Sequence, residues 1–552
     1  MGAGIMPEAG EHVRRDEDKP GQGKVSTPSE AVIPLVRDLV ESPPQAASAA
    51  PVAPADPIRV PAVVEPTPVA LAPRGGRSRI LMITEGTYPY AVGGVSSWCD
   101  AVIGGLGHID WDILPIVAGG KRLRQNFTLP ENARLLRPIE LWSEDAPPRR
   151  APRPHRRHAE STLPTQLLRG LLPWEGSLPD LTAALIRCRE RPQAVRRDFR
   201  DSDSWAEFLL ALVEVLSATN DQTAPAPIYD TIEAARLYQT LYWVARTAAV
   251  PTPECSLLHV TAAGWAAIPA LAHKAIHGTP MLLSEHGVYV REAYLASVNN
   301  ASVSLGQRHI STRLALGLTR AAYAAADMIA PVTEANAEWE RGLGVSVDKI
   351  RVIPNGIEPP TSWTKPPNAK KVIAMGRIDP LKDVQTMLLV ADEVSRRMPA
   401  ARFEYWGPVT SGQEQYARAC ERMHEQLALG ERFRFMGRTS DPHSVIRDAD
   451  VVLMTSISEA MPMALLEAMA QARPAVATSV GGVPGVLRGC GLIAPPGDVH
   501  GLATAVVSLL GDPNLAATLG RRGFERLHRR YTLERCVASY RDLIGELVGV
   551  AA

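Results

Sequence analysis

Cysteine is scarce in this chain: six in 552 residues (Cys99, Cys188, Cys255, Cys420, Cys490 and Cys536), scattered and without a CxxC pair. That spacing argues against a disulfide framework or a structural zinc site and fits a reducing compartment. Net charge is missing as well. With 59 Lys+Arg against 59 Asp+Glu, nothing in the balance points to a nucleic-acid partner. No stretch reaches the roughly 20 uninterrupted apolar residues of a membrane span. Residues 1–30 are polar and charged, with no apolar run after Met1, so no secretory leader is expected and the cytoplasm is the expected location. Neither first strand-to-helix turn carries GxGxxG, and no GxxxxGK[ST] occurs, which disfavours a dinucleotide oxidoreductase and a P-loop enzyme. Within the two expected domains DxD triplets stand at 110–112, 201–203 and 448–450, but none has a His or acid cluster beside it, so no essential metal is expected.

Proline, by contrast, is abundant in the first part of the chain. Residues 1–77 contain runs such as SPPQAASAAPVAPADP, and prolines this frequent block both helix and sheet; a disordered arm is expected there. Short apolar runs then alternate with helical stretches. RILMIT (79–84), WDILPIV (111–117), SLLHV (256–260), MLLSE (281–285), MIAPV (328–332) and IRVI (350–353) read as buried parallel strands of a first domain, 78–360. Between about 140 and 250 the rhythm breaks. The basic piece PPRRAPRPHRRH (147–158) reads as a solvated turn, and amphipathic segments with Trp205, Phe208, Tyr238 and Trp243 as a helical insertion. After a Pro-rich joint near 359–367 the alternation restarts in a second domain, 361–531. Its strands are KVIAM (371–375), RFEYW (402–406), RFRFM (432–436), DVVLM (450–454), PAVAT (474–478) and GLIAP (491–495). A last helix near 532–549, within 532–552, is placed to cross back to the first domain. The expected fold is α/β: two Rossmann-like doubly wound domains facing across a cleft, with ligands at the strands' carboxyl ends.

The segment Ser456–Pro474, SISEAMPMALLEAMAQARP, sets two carboxylates, Glu459 and Glu467, about a predicted helix start, with Pro462 suited to the first helical position. At about 1.5 Å per residue the two acids lie at most roughly 12 Å apart, the reach from a hexose across a diphosphate to a ribose. Free amides near Met463, Ala464 and Leu465, at the positive end of the helix dipole, would draw phosphate between them. An ordinary amphipathic helix with solvated glutamates fits this segment equally well. In MGRIDPLKD (375–383), directly after a strand, Arg377 and Lys382 can converge on one anion. Gly93 and Gly94 follow the first strand, where paired glycines permit either close approach to a phosphate or a tight turn. Gly481-Gly482-Val483-Pro484-Gly485 offers a similar loop, and His286 closes the MLLSE strand at a terminus where sites are built.

Together these segments resemble glycosyltransferase family 4, the retaining sugar transferases of GT-B fold. The matching features are Gly93-Gly94, VIPNGIE (352–358), GRIDPLKD (376–383), the acid-x7-acid helix and GGVP (481–484), across roughly 79–540. More narrowly, EGTYPYAVGGVSSW (85–98), HVTAAGWAAIPA (259–270) and LSEHGVYVREAYL (283–295) are similar to the PelF-type enzymes of Pel exopolysaccharide synthesis. The resemblance implies a UDP-sugar donor, UDP-glucose among the options, with Arg377 and Lys382 on its diphosphate. It further implies Glu459 on sugar hydroxyls, Glu467 on the ribose, and amides of Met463, Ala464 and Leu465 at the phosphates. Gly94 would let the first domain's loop close over the same group, Arg438 would neighbour the uracil, and His286 would stand near the reacting sugar. Gly485 departs from the pattern, where many relatives carry Glu. A polysaccharide acceptor and a membrane-bound synthase complex, reached from the inner face of the membrane, are the implied partners. Two alternatives stay open: a GT-B-fold sugar-nucleotide epimerase, which the full Arg/Lys and two-acid set weighs against, and a non-catalytic nucleotide-binding scaffold.

Overall fold

The computed structural model describes residues 77–119, 123–143, 161–173, 176–218, 230–298, 303–410 and 412–549. The Pro-rich arm up to Gly76 and the basic stretch 147–158 therefore lie outside the described residues.

The first lobe is built on β1 (Arg79–Glu85), β2 (Asp110–Ala118), β3 (Ala133–Leu135), β4 (Ile139–Leu141), β5 (Leu257–Val260), β6 (Met281–Glu285) and β7 (Met328–Pro331). They pair in parallel in the order β3-β2-β1-β5-β6-β7, with β4 also on β2. The runs are apolar without alternation because helices cover both faces. Leu81 and Ile83 of β1 enter one core with Leu167 and Tyr242, while Ile80 and Met82 enter another with Trp98, Val102 and Leu543. Helix α1 (Gly94–Gly105) follows β1. Then come α2 (Leu163–Leu171), α3 (Leu178–Glu190), α4 (Pro192–Asp198), α5 (Ser202–Ser217) and α6 (Thr231–Ala248), which fill the break in the strand rhythm. A reciprocal cap starts α6: Asp230 accepts from the Glu233 amide at 2.7 Å, and Glu233 accepts from the Asp230 amide at 3.3 Å. Helices α7 (Ala267–His277), α8 (Tyr289–Val298), α9 (Leu305–Ala325) and α10 (Glu334–Gly342) complete the lobe.

IRVI (350–353) is not a strand. It runs beside β7, giving the Arg351 amide to the Ile329 carbonyl and the Ile353 amide to the Pro331 carbonyl, each at 2.9 Å. Pro331 has no N–H to return a bond, so the ladder stops at the isolated pair Ile329–Ile350.

The second lobe carries β8 (Lys371–Met375), β9 (Arg402–Trp406), β10 (Phe433–Gly437), β11 (Val451–Met454), β12 (Ala475–Thr478) and β13 (Gly491–Ala494). All are parallel, in the order β10-β9-β8-β11-β12-β13. Its helices are α11 (Val384–Arg397), α12 (Glu414–Gln426), α13 (Pro442–Arg447), α14 (Met463–Ala470), α15 (Val483–Leu487), α16 (Val499–Gly511), α17 (Pro513–Arg530) and α18 (Leu533–Val548). The last, α18, leaves this lobe and packs on the first: Tyr540 is fully buried there, and the Ser284 hydroxyl donates to its oxygen at 3.0 Å. The two chain crossings are laced together. The Ile357 amide donates to Tyr531 O at 3.0 Å, and the Leu533 amide to Ile357 O at 2.9 Å. Among the described residues no single helix is long and apolar enough to cross a membrane.

Candidate active site between the lobes

In each sheet the strand order reverses beside the first strand, next to β1 in one lobe and β8 in the other. Such switch points open a crevice at the strands' carboxyl ends. In the second lobe, Arg377 follows β8 and Lys382 ends the short turn Pro380–Lys382, which Asp379 caps by accepting from the Leu381 amide at 3.0 Å. Tyr405 fixes this loop from below, donating to Arg377 O at 2.9 Å. The Lys382 ammonium pairs with Glu459, and Ser456 donates to the same carboxylate oxygen at 2.7 Å. Arg377 reaches Asp379 at 3.5 Å, and its side chain stays 64% exposed. From β12, the Gly482 amide supports the Glu459 loop by donating to Ala460 O at 3.0 Å.

Helix α14 starts one residue later than its sequence suggests. Pro462 is its extended N-cap, not its first helical residue, and the helix ends at Ala470, before Arg473-Pro474. Among the described residues the amides of Met463 and Ala464 have no partner. That of Leu465 is already taken by Pro462 O at 3.1 Å, so Leu465 drops out of the expected anion-binding set. Glu467 sits one turn after Met463 on the same face. Burial pushes its carboxyl up to about 7, and no described group hydrogen-bonds it.

The first lobe meets this helix tip directly. A Cβ at Gly94, the first residue of α1, would stand 3.0 Å from Met463 Cγ, so the glycine lets the two lobes approach closely here. Gly93 is different. Its backbone is extended and nothing lies within 4 Å of where a Cβ would be, so the expected role of a glycine pair falls to Gly94 alone. His286 follows β6 with its ring against Trp98, centroids 4.4 Å apart. Both ring nitrogens are buried without a described partner, and burial pushes the imidazole down to about 4, so it is neutral at neutral pH. Arg438 follows edge strand β10, is exposed, and has no described contact with these groups.

Two residues in this crevice went unread in the sequence: Arg291 and Glu292 of α8. A Cβ on Gly287 would lie 1.8 Å from Glu292 Oε1, so the carboxylate rests directly against this glycine, next to His286. Burial pushes the Glu292 carboxyl upward. Arg291 opposes this, Glu459 adds to it, and Arg377 and Lys382 draw it back down. Arg291 is itself pushed down by burial, and its Nε is buried without a partner. Five charged groups from two lobes thus share one field: Arg291, Glu292, Arg377, Lys382 and Glu459. An Arg-Glu step in a helix reads as a solvated face. The available signal was Gly287, five positions before the acid that rests against it.

Two parallel Rossmann-like domains, facing at their switch points and tied by a returning last helix, constitute the GT-B fold. The comparisons place the chain among proteins of that fold. Residues 369–512 match the family described as Glycosyl transferases group 1, and residues 78–348 match the family described as Domain of unknown function (DUF3492). Among curated proteins, the chain is 28% identical over 275 residues to D-inositol 3-phosphate glycosyltransferase 2 of Catenulispora acidiphila, covering 46% of this chain and 62% of that protein. It is 30% identical over 121 residues to N-acetyl-alpha-D-glucosaminyl L-malate synthase of Bacillus anthracis, covering 22% of this chain and 32% of that one. The chain thus spans less than two thirds of the length of either relative. Among solved structures, Anabaena Alr3699/HepE in complex with UDP and glucose aligns with TM-score 0.52 at 14% identity, over 85% of this chain and 100% of that one. Sucrose-phosphate synthase from Thermosynechococcus elongatus aligns with TM-score 0.54 at 18% identity, over 86% and 100%. At these identities the structural likeness is one of fold.

Proposed function

We propose that the chain is a retaining glycosyltransferase that moves a hexose from a UDP-sugar to a growing exopolysaccharide. The observation that carries this reading is the charge cluster between the lobes, with the free tip of α14 and the unpartnered Glu467 carboxylate beside it. Lys382, Arg377 and Arg291 supply positive charge where a departing diphosphate gains negative charge, and each such preorganised group is typically worth about 3 kcal/mol. The amides of Met463 and Ala464 add donors at the same place. Glu467 accepts from the ribose hydroxyls, while Glu459, released from Lys382 when the diphosphate takes the ammonium, accepts from the sugar. His286, neutral, lies on the first-lobe side of the reacting carbon.

In the transfer, the bond from the anomeric carbon to the diphosphate oxygen breaks and the acceptor oxygen bonds the same face. The acceptor's proton passes to the departing phosphate. The chain's own cations are sufficient for this charge, so the reaction is proposed to be metal-independent. Closure of Gly94 onto Met463 excludes water and limits donor hydrolysis. The group 1 match over the second lobe supports the donor assignment. A structural neighbour solved with UDP and glucose supports UDP-glucose as the first donor to test. A Pel-type pathway and docking on a membrane-bound synthase follow from the sequence resemblance, a cytoplasmic location from the composition of the chain, and all belong to the same proposal.

The test is calorimetry with UDP, followed by product analysis with a panel of UDP-sugars and an oligosaccharide acceptor, with and without chelator. Micromolar UDP binding and chelator-insensitive transfer with retained anomeric configuration are expected. Absence of UDP binding would sink the donor reading. Conversion of UDP-sugar without an acceptor into an epimer would transfer the assignment to an epimerase.

A further inference from the structure

One strand further out in each sheet, past the charge cluster, a cavity of about 810 Å³ opens between the lobes. Its first-lobe wall is the start of α10 with Thr333 and Glu338, and its second-lobe wall is the end of β12 and α15 with Gly482 and Gly485. Five arginines line it: Arg488 at the end of α15, Arg526, Arg529 and Arg530 in the last turns of α17, and Arg535 in the first turn of α18. Arg526 has a structural role, donating to Val486 O at 2.9 Å and to Gly485 O at 2.7 Å. The other four guanidiniums have no ion pair or hydrogen bond among the described residues. Of the two acids lining the cavity, Glu334 is already paired with Arg341 at 2.6 Å, which leaves Glu338.

Fold stability does not account for this arrangement. Arg529 and Arg530 suit the negative end of α17, but Arg535 is a cation at the positive end of α18, where the helix dipole disfavours it. Like charges converge here in a chain whose formal net charge is zero. Such focused positive potential in a recess is the electrostatic mark of an anion site. Guanidinium forks match phosphate oxygens two at a time. The volume is that of a small-molecule pocket and exceeds what a single phosphate ion fills.

We propose that this cavity binds a small organic molecule carrying more than one phosphate group, at a site separate from the donor crevice and independent of the donor reading. Gly485 supplies a direct test. Nothing lies within 4 Å of its would-be Cβ and its φ is ordinary, so Gly485→Glu starts a carboxylate-bearing side chain on the cavity wall, beside the arginines, with no clash at its Cβ.

Fructose 1,6-bisphosphate is titrated calorimetrically into the full chain with UDP at saturation, alongside inorganic phosphate, in wild type, Gly485→Glu and the double variant Arg529→Ala/Arg535→Ala. Wild type is expected to bind the bisphosphate with Kd below about 1 mM and at least tenfold more tightly than inorganic phosphate. Both variants should weaken it by about tenfold or more, since the double variant deletes charge-assisted contacts and the added carboxylate competes for the arginines and repels the phosphates. UDP affinity in the arginine variant should match wild type, which separates this result from any failure of the donor site. Absence of bisphosphate binding, equal affinity for inorganic phosphate, or variants that bind as wild type does would each overturn the proposal.

Discussion

Replacing Glu467 with Gln should make the protein more stable and worse at holding UDP. The carboxyl is held near 7 by burial, against an ordinary value of 4.5, and no described group compensates it. The sign follows from proton linkage: the folded chain holds this proton more tightly than the unfolded one. Glu467 therefore favours folding below about 4.5, and that advantage is lost as pH climbs to about 7. Above that the buried charge costs the fold about 3 kcal/mol as an upper figure. Gln removes the charge at nearly the same volume, so at pH 8 the melting temperature should rise by several degrees, with no gain at pH 4. The ligand side runs the other way. A carboxylate accepting from two ribose hydroxyls loses about 1.5–3 kcal/mol when it becomes a neutral amide, a Kd roughly 10- to 100-fold weaker. Wild-type UDP affinity should also increase with pH up to about 7, a dependence the variant lacks. Differential scanning calorimetry and UDP titrations at pH 5, 7 and 8 measure both effects. A variant that binds UDP as wild type does, or that melts lower at pH 8, would refute the reasoning.

Three further outcomes follow from the same geometry. Lys382→Ala removes a diphosphate cation and leaves Glu459 without its partner, so turnover should fall at least ~100-fold in a UDP-release assay; unchanged turnover would remove Lys382 from the mechanism. Glu292→Gln should depress transfer to the acceptor while UDP affinity in calorimetry stays within about threefold, because the residue comes from the first lobe and not the donor-side loops. Equal losses in both would make it a donor residue. Tyr540→Ala empties a fully buried site between α18 and the first sheet and should cost about 3–5 kcal/mol, read as a large drop in melting temperature.

The strands were legible because helices cover both sheet faces, which leaves plain apolar runs such as MLLSE and KVIAM that coincide with β6 and β8. IRVI has the same composition, yet the proline opposite it cannot donate, and that neighbour is invisible in a local window. The site divides along the same line. Arg377, Lys382, Glu459 and Glu467 stand in loops and a helix start whose chemistry is local. Arg291 and Glu292 acquire meaning only when Gly287 and the opposite lobe surround them. Gly93 and Gly94 are indistinguishable in sequence, and only the position of Met463 tells which one lies against the other lobe.

The returning helix α18 has a bearing on how the protein is made. It is the last described element to leave the ribosome, yet it covers the face of the first sheet presented by Ile80 and Met82. During synthesis the part of that face beyond the reach of α1 waits while some four hundred and fifty residues are added, and a product cut before Leu533 would keep that part open to water. This core of the first lobe is thus completed only after the second lobe has been made, and changes near α18 should be judged by what they do to the oldest part of the molecule.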